Sequence, residues 1–180
     1  MEIIETDLPG VLRLRPRRFL DERGWFMESW NEKSFRTLGL PTVFKQDNQS
    51  RSNKNVLRGL HYQIQQPQGK LIRAIHGRIF DVAVDIRRSS AAFGQWVGME
   101  LNAETCEMLW IPAGFAHGFL VLSDSADVLY KATDFYCQPG ERTIVWNDPA
   151  IGIAWPATGT PIVSTKDAAG ASLATAELPK

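Results

Sequence analysis

The chain has 180 residues, 44% of them hydrophobic, which is enough to bury one substantial core and reads as a single domain over 1–180. Twenty basic residues balance twenty acidic ones, so no overall field attracts nucleic acid or an anionic membrane, and any phosphate binding must be local. Cys106 and Cys137 are too few and too far apart for a disulfide framework or a zinc motif, and they suit free thiols in a reducing cytoplasm. No apolar run is long enough to span a bilayer, and the acidic start Met1-Glu2-Ile3-Ile4-Glu5 is unlike a signal peptide.

From the N-terminus, alternation predicts strands over 11–15 and 24–30, and then a helix over 31–38 opened by an Asn31 cap and closed by Gly39. Further strands are predicted at 57–63, 70–76, 78–87, 95–101, 108–111, 119–122, 128–133 and 143–146. A second helix is predicted over 164–178, with Pro179 beyond its end. No repeat or long linker divides the series. Many short strands in one domain define an all-β sandwich or barrel, for which a jelly roll or Greek key is the usual closed solution. The six tryptophans lie in or beside strands, where most read as core and some as interface, and the edge strands of such a fold suit an oligomer.

Arg58 and His61 stand out within Leu57-Arg58-Gly59-Leu60-His61-Tyr62-Gln63. Residues three apart on a regular strand face opposite ways, so the two share a face only if Gly59 introduces a kink or bulge. A cation that can hold a phosphate, beside an imidazole that titrates near neutrality, suggests base chemistry on an anionic substrate. A satisfied core or surface histidine is the plainer alternative.

A second stretch, Trp110-Ile111-Pro112-Ala113-Gly114-Phe115-Ala116-His117-Gly118-Phe119, projects His117 from a tight turn in the pattern P-x-G-x-x-H. It resembles the second motif of the cupin superfamily, whose fold is a double-stranded β-helix of jelly-roll type. The first cupin motif, with its histidine pair and glutamate, is missing: His61 stands alone and His76 sits in an apparent turn, so no metal site is expected. Asp81 and Asp85 read as ordinary exposed strand carboxylates.

Within the cupins the resemblance sharpens. Asp21-Glu22-Arg23-Gly24, Gln46-Asp47-Asn48, Asn55 to His61, Gln68-Gly69-Lys70, Phe80 to Asp85, Ile111 to Phe119, Leu129-Tyr130-Lys131 and Ser164-Thr165-Lys166-Asp167 follow one another in order. Over roughly residues 1 to 170 the set is similar to the dTDP-4-dehydrorhamnose 3,5-epimerases. The resemblance implies an isomerase without metal or other cofactor, with short peripheral helices around the jelly roll. Its substrate would be a dTDP-4-keto-6-deoxyhexose whose C3 and C5 protons are acidified by the ketone.

The resemblance makes His61 the base and Asp167 its partner, Tyr130 the acid on the opposite face and Lys70 the cation at the sugar C4 oxygen. Read alone, Ser164 to Asp167 looks like a capping box, Tyr130 like a strand aromatic and Lys70 like a solvated turn residue. Tyr136 is the rival acid. The resemblance also implies that Arg23, Arg58 and Lys166 fall near the diphosphate and sugar, and that Glu28, Gln46, Asp47, Asn48, His117 and Glu141 complete the substrate shell. Phe135 takes the place of an aromatic for the thymine ring, where it can stack but cannot donate. A homodimer is also implied, with N-terminal strands exchanged so that Arg23 and Glu28 approach the neighbour's pocket. A sister epimerase acting at one carbon only, and a non-enzymatic nucleotide-sugar-binding cupin, are the competing readings.

Overall fold

The computed structural model describes residues 1–179. Thirteen strands and two short α-helices follow in chain order: β1 (Glu2–Glu5), β2 (Leu12–Arg15), β3 (Arg18–Asp21), β4 (Gly24–Met27), α1 (Glu32–Thr37), β5 (Gln46–Asn53), β6 (Leu57–Gln63) and β7 (Lys70–His76). They continue as β8 (Arg78–Asp85), β9 (Trp96–Asn102), β10 (Met108–Ile111), β11 (Phe115–Val121), β12 (Ser125–Ala132), β13 (Glu141–Thr143) and α2 (Thr165–Ala168). A six-stranded sheet runs β1-β2-β10-β7-β12-β5, and a five-stranded sheet runs β13-β6-β11-β8-β9. Their antiparallel pairing with jumps between distant strands is that of a jelly roll, the cupin architecture. β3 and β4 form a separate hairpin.

Alternation decides which side chains enter the space between the sheets. Ile72, Leu109, Ile111 and Val128 from one sheet meet Ile79, Ala83, Phe115 and Phe119 from the other, and all are buried. The outer face of the six-stranded sheet is covered by α1, whose Phe35 packs on Leu14, Leu71, Met108 and Trp110. Asn31 caps this helix by accepting from the Ser34 N–H at 3.1 Å, as the sequence indicates. The outer face of the five-stranded sheet is covered by the C-terminal segment through Ile144, Ile151, Leu173 and Ala176.

Several boundaries differ from the sequence reading. β4 ends at Met27 rather than at residue 30, and its partner β3 escaped notice because Arg18–Asp21 is exposed throughout. β11 begins at Phe115, not 119, and is buried along its whole length, so it carries no alternation to mark its start. β13 occupies 141–143, ahead of the expected 143–146. The largest correction is the tail: the helix expected over 164–178 stops at Ala168. Beyond Gly170 the chain runs beside β13, with the Ala171 N–H donating to Thr143 O (3.0 Å) and the Val145 N–H to Ala171 O (2.9 Å). Burial of Leu173 and Ala176 against the sheet outweighs the helix propensity of an alanine-rich stretch.

Candidate active site

Between the two sheets lies a cavity of about 280 Å³, lined on the six-stranded side by Asn48, Ser50, Lys70 and Tyr130 and on the five-stranded side by Arg58, His61, His117 and Phe119. β6 delivers two of these through an irregularity. His61 pairs with His117, yet Arg58 pairs with Phe119, so β6 carries one residue more than β11 over this stretch. The bulge makes Arg58 and His61 act as neighbours on one face, although they stand three apart in sequence. Gly59 at φ +129° is the residue that permits it: a Cβ there would lie 2.6 Å from Gly118 Cα and 2.8 Å from His117 O.

The bulge also frees the Gly59 N–H, which donates to Asp167 Oδ2 at 3.1 Å. The other carboxylate oxygen of Asp167 holds His61 Nε2 at 2.7 Å. Burial resists ionisation of Asp167, but the hydrogen bond and charge of His61, with the Gly59 N–H, hold its carboxyl below the usual range. With Nε2 donating to this carboxylate, Nδ1 is left with a lone pair able to take a proton. The capping reading and the dyad reading of Asp167 both hold. Ser164 Oγ accepts from the Asp167 backbone N–H at 3.0 Å, and the side chain remains free for His61.

Lys70 opens β7 and is partly buried rather than solvated. Burial lowers it from an ordinary 10.5 to about 8, against the upward pull of Asp81 and Glu141. Its ammonium lies 5.8 Å from the centre of the Tyr130 ring. Burial, with Glu141 second, raises the Tyr130 phenol, and Arg58 opposes the shift. His117 turns Nε2 to a fully buried Asp81 at 3.0 Å, and Asp85 is fully buried against Arg87 and Ser90. Neither aspartate is the exposed strand carboxylate that the sequence suggests. Alternation along a strand does not report that both of its faces are covered.

Beside the cavity lies a group of polar side chains, near enough for the charge of Glu141 to act on Lys70 and Tyr130. Gln46 donates to Asn48 Oδ1 at 2.8 Å, one strand face presenting both as their spacing implies. Glu141 accepts from Lys166 at 2.5 Å and from the Tyr136 hydroxyl at 2.9 Å. Burial disfavours its charge, yet these two bonds keep its carboxyl below the usual range. Phe135 is exposed beside Lys45, 5.3 Å from ring to ammonium. Arg58 bridges to the other sheet through Ser52 Oγ at 2.9 Å.

Five expected residues, Gln46, Phe135, Glu141, Lys166 and Asp167, do not line the cavity themselves, and three more lie apart from it in this chain. Asp47 faces outward on β5 and pairs with Lys131 at 3.0 Å. Arg23 lies on the exposed hairpin bonded to Asp21, and Glu28 accepts from Asn31 and Ser34 at 3.1 Å. Conversely, Ser50 and Phe119 line the cavity unannounced, although Ser50 lies on the same face as Asn48 and Phe119 on the same face as His117. Among the described residues, no three His, Cys, Asp or Glu side chains gather as ligands for one metal ion.

A jelly roll that sets a carboxylate-held imidazole on one wall, and a phenol with a lysine on the other, defines a cupin-fold isomerase that works by moving protons. Residues 5–175 match the family model of dTDP-4-dehydrorhamnose 3,5-epimerase. The chain is 54% identical over 178 residues to the dTDP-4-dehydrorhamnose 3,5-epimerase of Pseudomonas aeruginosa, covering 98% of each, and 56% identical over 171 residues to that of Salmonella typhimurium, covering 94% of this chain and 93% of the relative. A crystal structure of dTDP-6-deoxy-D-glucose-3,5-epimerase from Legionella pneumophila in complex with dTDP-4-keto-L-rhamnose superposes with a TM-score of 0.97 at 48% identity, covering 99% of this chain and 97% of that one. The chain belongs to the dTDP-4-dehydrorhamnose 3,5-epimerase family.

Proposed function

We propose that the protein epimerises C3 and C5 of dTDP-4-dehydro-6-deoxy-D-glucose to give dTDP-4-dehydro-L-rhamnose, a step of dTDP-L-rhamnose biosynthesis. The observation that carries the reading is the placement of the His61–Asp167 pair across one cavity from Tyr130 and Lys70. The C4 ketone acidifies the hydrogens on both adjacent carbons. His61 takes a proton from one face, and Asp167 stabilises the resulting imidazolium. The Lys70 ammonium stabilises the negative charge that develops on the C4 oxygen. Tyr130 then gives its proton to the carbon from the opposite face and the centre is inverted; His61 loses its proton to solvent and Tyr130 regains one before the second carbon reacts. Arg58 and Lys166 carry the cationic donors for the diphosphate, with Asn48, Gln46, His117 and Glu141 on the sugar. Phe135 offers a ring for the thymine to stack on.

The working form is a homodimer. The β3–β4 hairpin exposes Phe19, Leu20, Trp25 and Phe26, an apolar surface that a second copy would cover while bringing Arg23 and Glu28 to its neighbour's cavity. Both cysteines are free thiols, which suits the cytoplasm, and no helix among the described residues is long and apolar enough to cross a membrane.

The decisive test is proton NMR of dTDP-4-keto-6-deoxyglucose incubated with the protein in deuterated water. Deuterium at both C3 and C5 is expected. Incorporation at one carbon would make the protein a single-position epimerase, and incorporation at neither would leave a nucleotide-sugar-binding cupin.

A further inference from the structure

Gln63 is a buried amide two residues beyond His61 on β6, and only 6% of its surface is exposed. Its side chain makes no contact with the cavity; every polar contact it has goes to backbone. The Nε2 group donates to Gln66 O at 2.8 Å and to Phe135 O at 3.2 Å, with Gln65 O at 3.4 Å sharing a proton. The Oε1 atom accepts from the Cys137 N–H at 2.9 Å. One side chain thus grips the backbone on both sides of Tyr136.

Two further amides hold the same segment. Gln68 donates to Asp134 O at 2.8 Å, and Gln46 accepts from the Tyr136 N–H at 2.8 Å. The segment has no helix or strand of its own, and its two rings are more than half exposed, Phe135 at 52% and Tyr136 at 53%. Exposed aromatics on irregular backbone ordinarily move freely. Here the backbone is fixed by one buried and two half-buried amides while the rings are left to face solvent, where the Tyr136 hydroxyl meets Glu141. Rings presented on clamped backbone bind a planar group without first having to be ordered.

We infer that Gln63 is a positioning residue that holds Phe135 and Tyr136 as a rigid aromatic platform beside the cavity, and so sets affinity for the nucleoside end of the substrate independently of the proton transfers. This rests on the reading of the cavity as a dTDP-sugar site. Because Gln63 shares β6 with His61, one strand would govern both the chemistry and the distant end of the ligand.

The test measures dTDP affinity by calorimetry and kcat and KM by turnover in the full-length protein. Gln63→Leu should raise the dTDP Kd and KM about tenfold, the loss of a preorganised surface, with kcat altered no more than about twofold. Gln63→Glu, which keeps the acceptor for Cys137 and withdraws both donors, should shift them the same way and carries the test if the leucine variant does not fold. In a Phe135→Ala/Tyr136→Ala background, either change should have no further effect on dTDP affinity. Variants that bind dTDP like the wild type, that lose kcat instead, or that weaken binding equally without the rings would overturn the inference alone. Wild-type protein that binds no dTDP would overturn the dTDP-sugar reading and this inference together.

Discussion

His61 and Tyr130 line one cavity from opposite sheets, the imidazole on β6 and the phenol on β12. In the proposed mechanism, a proton removed at one and returned at the other inverts a carbon between them. The two variants should therefore fail differently. His61→Asn should abolish solvent exchange at both C3 and C5, a loss of about 10²- to 10⁴-fold. Tyr130→Phe should block inversion but leave some exchange, because His61 can still lift a proton, exchange it with solvent and return another to the same face. Folded His61→Asn protein with near-normal exchange would remove the base assignment; normal inversion by Tyr130→Phe would move the acid to Tyr136.

The Lys70 ammonium, lowered by burial to about 8, changes charge within the working pH range. It is cationic below about 8 and neutral above, so the stabilisation of negative charge on the C4 oxygen is present at lower pH and lost as pH rises through that value. The profile of kcat/KM should fall on its alkaline side near 8. Lys70→Met should lower activity by about 10²- to 10³-fold and abolish that limb. An unchanged alkaline limb in the variant would assign it to another group.

Ser164 and Asp167 separate a structural bond from a functional one. Ser164→Ala removes the acceptor for the Asp167 N–H and should cost about 1 kcal/mol in denaturant unfolding, with most activity retained. Asp167→Asn keeps the backbone cap but no longer holds the imidazole with a charge, so activity should fall by at least about 10²-fold. Equal activity losses in the two variants would mean that the carboxylate acts only through the helix.

The phosphate contacts are expected to come from two chains. Arg58→Ala should weaken dTDP binding measured by calorimetry, and Phe26→Asp should dissociate the proposed dimer in sedimentation and weaken dTDP binding as well, because Arg23 would be withdrawn with the hairpin. A monomeric Phe26→Asp protein with unchanged dTDP affinity would place Arg23 outside the site.

Much of this arrangement is legible in the sequence because it depends on local rules. The odd spacing of Arg58 and His61 calls for an irregular strand at Gly59, and the pairing of Arg58 with Phe119 supplies it. Asn31 and Ser164 announce helix starts because capping is a short-range bond. The length of the second helix is not legible, since what stops it is burial of Leu173 and Ala176 on a sheet assembled from distant strands. Asp81 and Asp85 are misread for the same reason. Nothing beside them in sequence shows that His117 and Arg87 will reach them in a closed interior.

The bulge on β6 has a consequence for the order in which the molecule becomes competent. A regular ladder would commit the Gly59 N–H to a neighbouring strand; here it waits for a carboxylate from residue 167, and His61 waits for the same group. Both sheets can pair before that carboxylate arrives, because the β6–β11 and β7–β12 ladders close among residues 57–132. Closing the chain from His61 to Asp167, 106 residues apart, costs more entropy than closing either of those ladders. Refolding should therefore restore sheet structure first and isotope exchange afterwards, so that catalytic competence dates the docking of the C-terminal segment rather than the closing of the jelly roll.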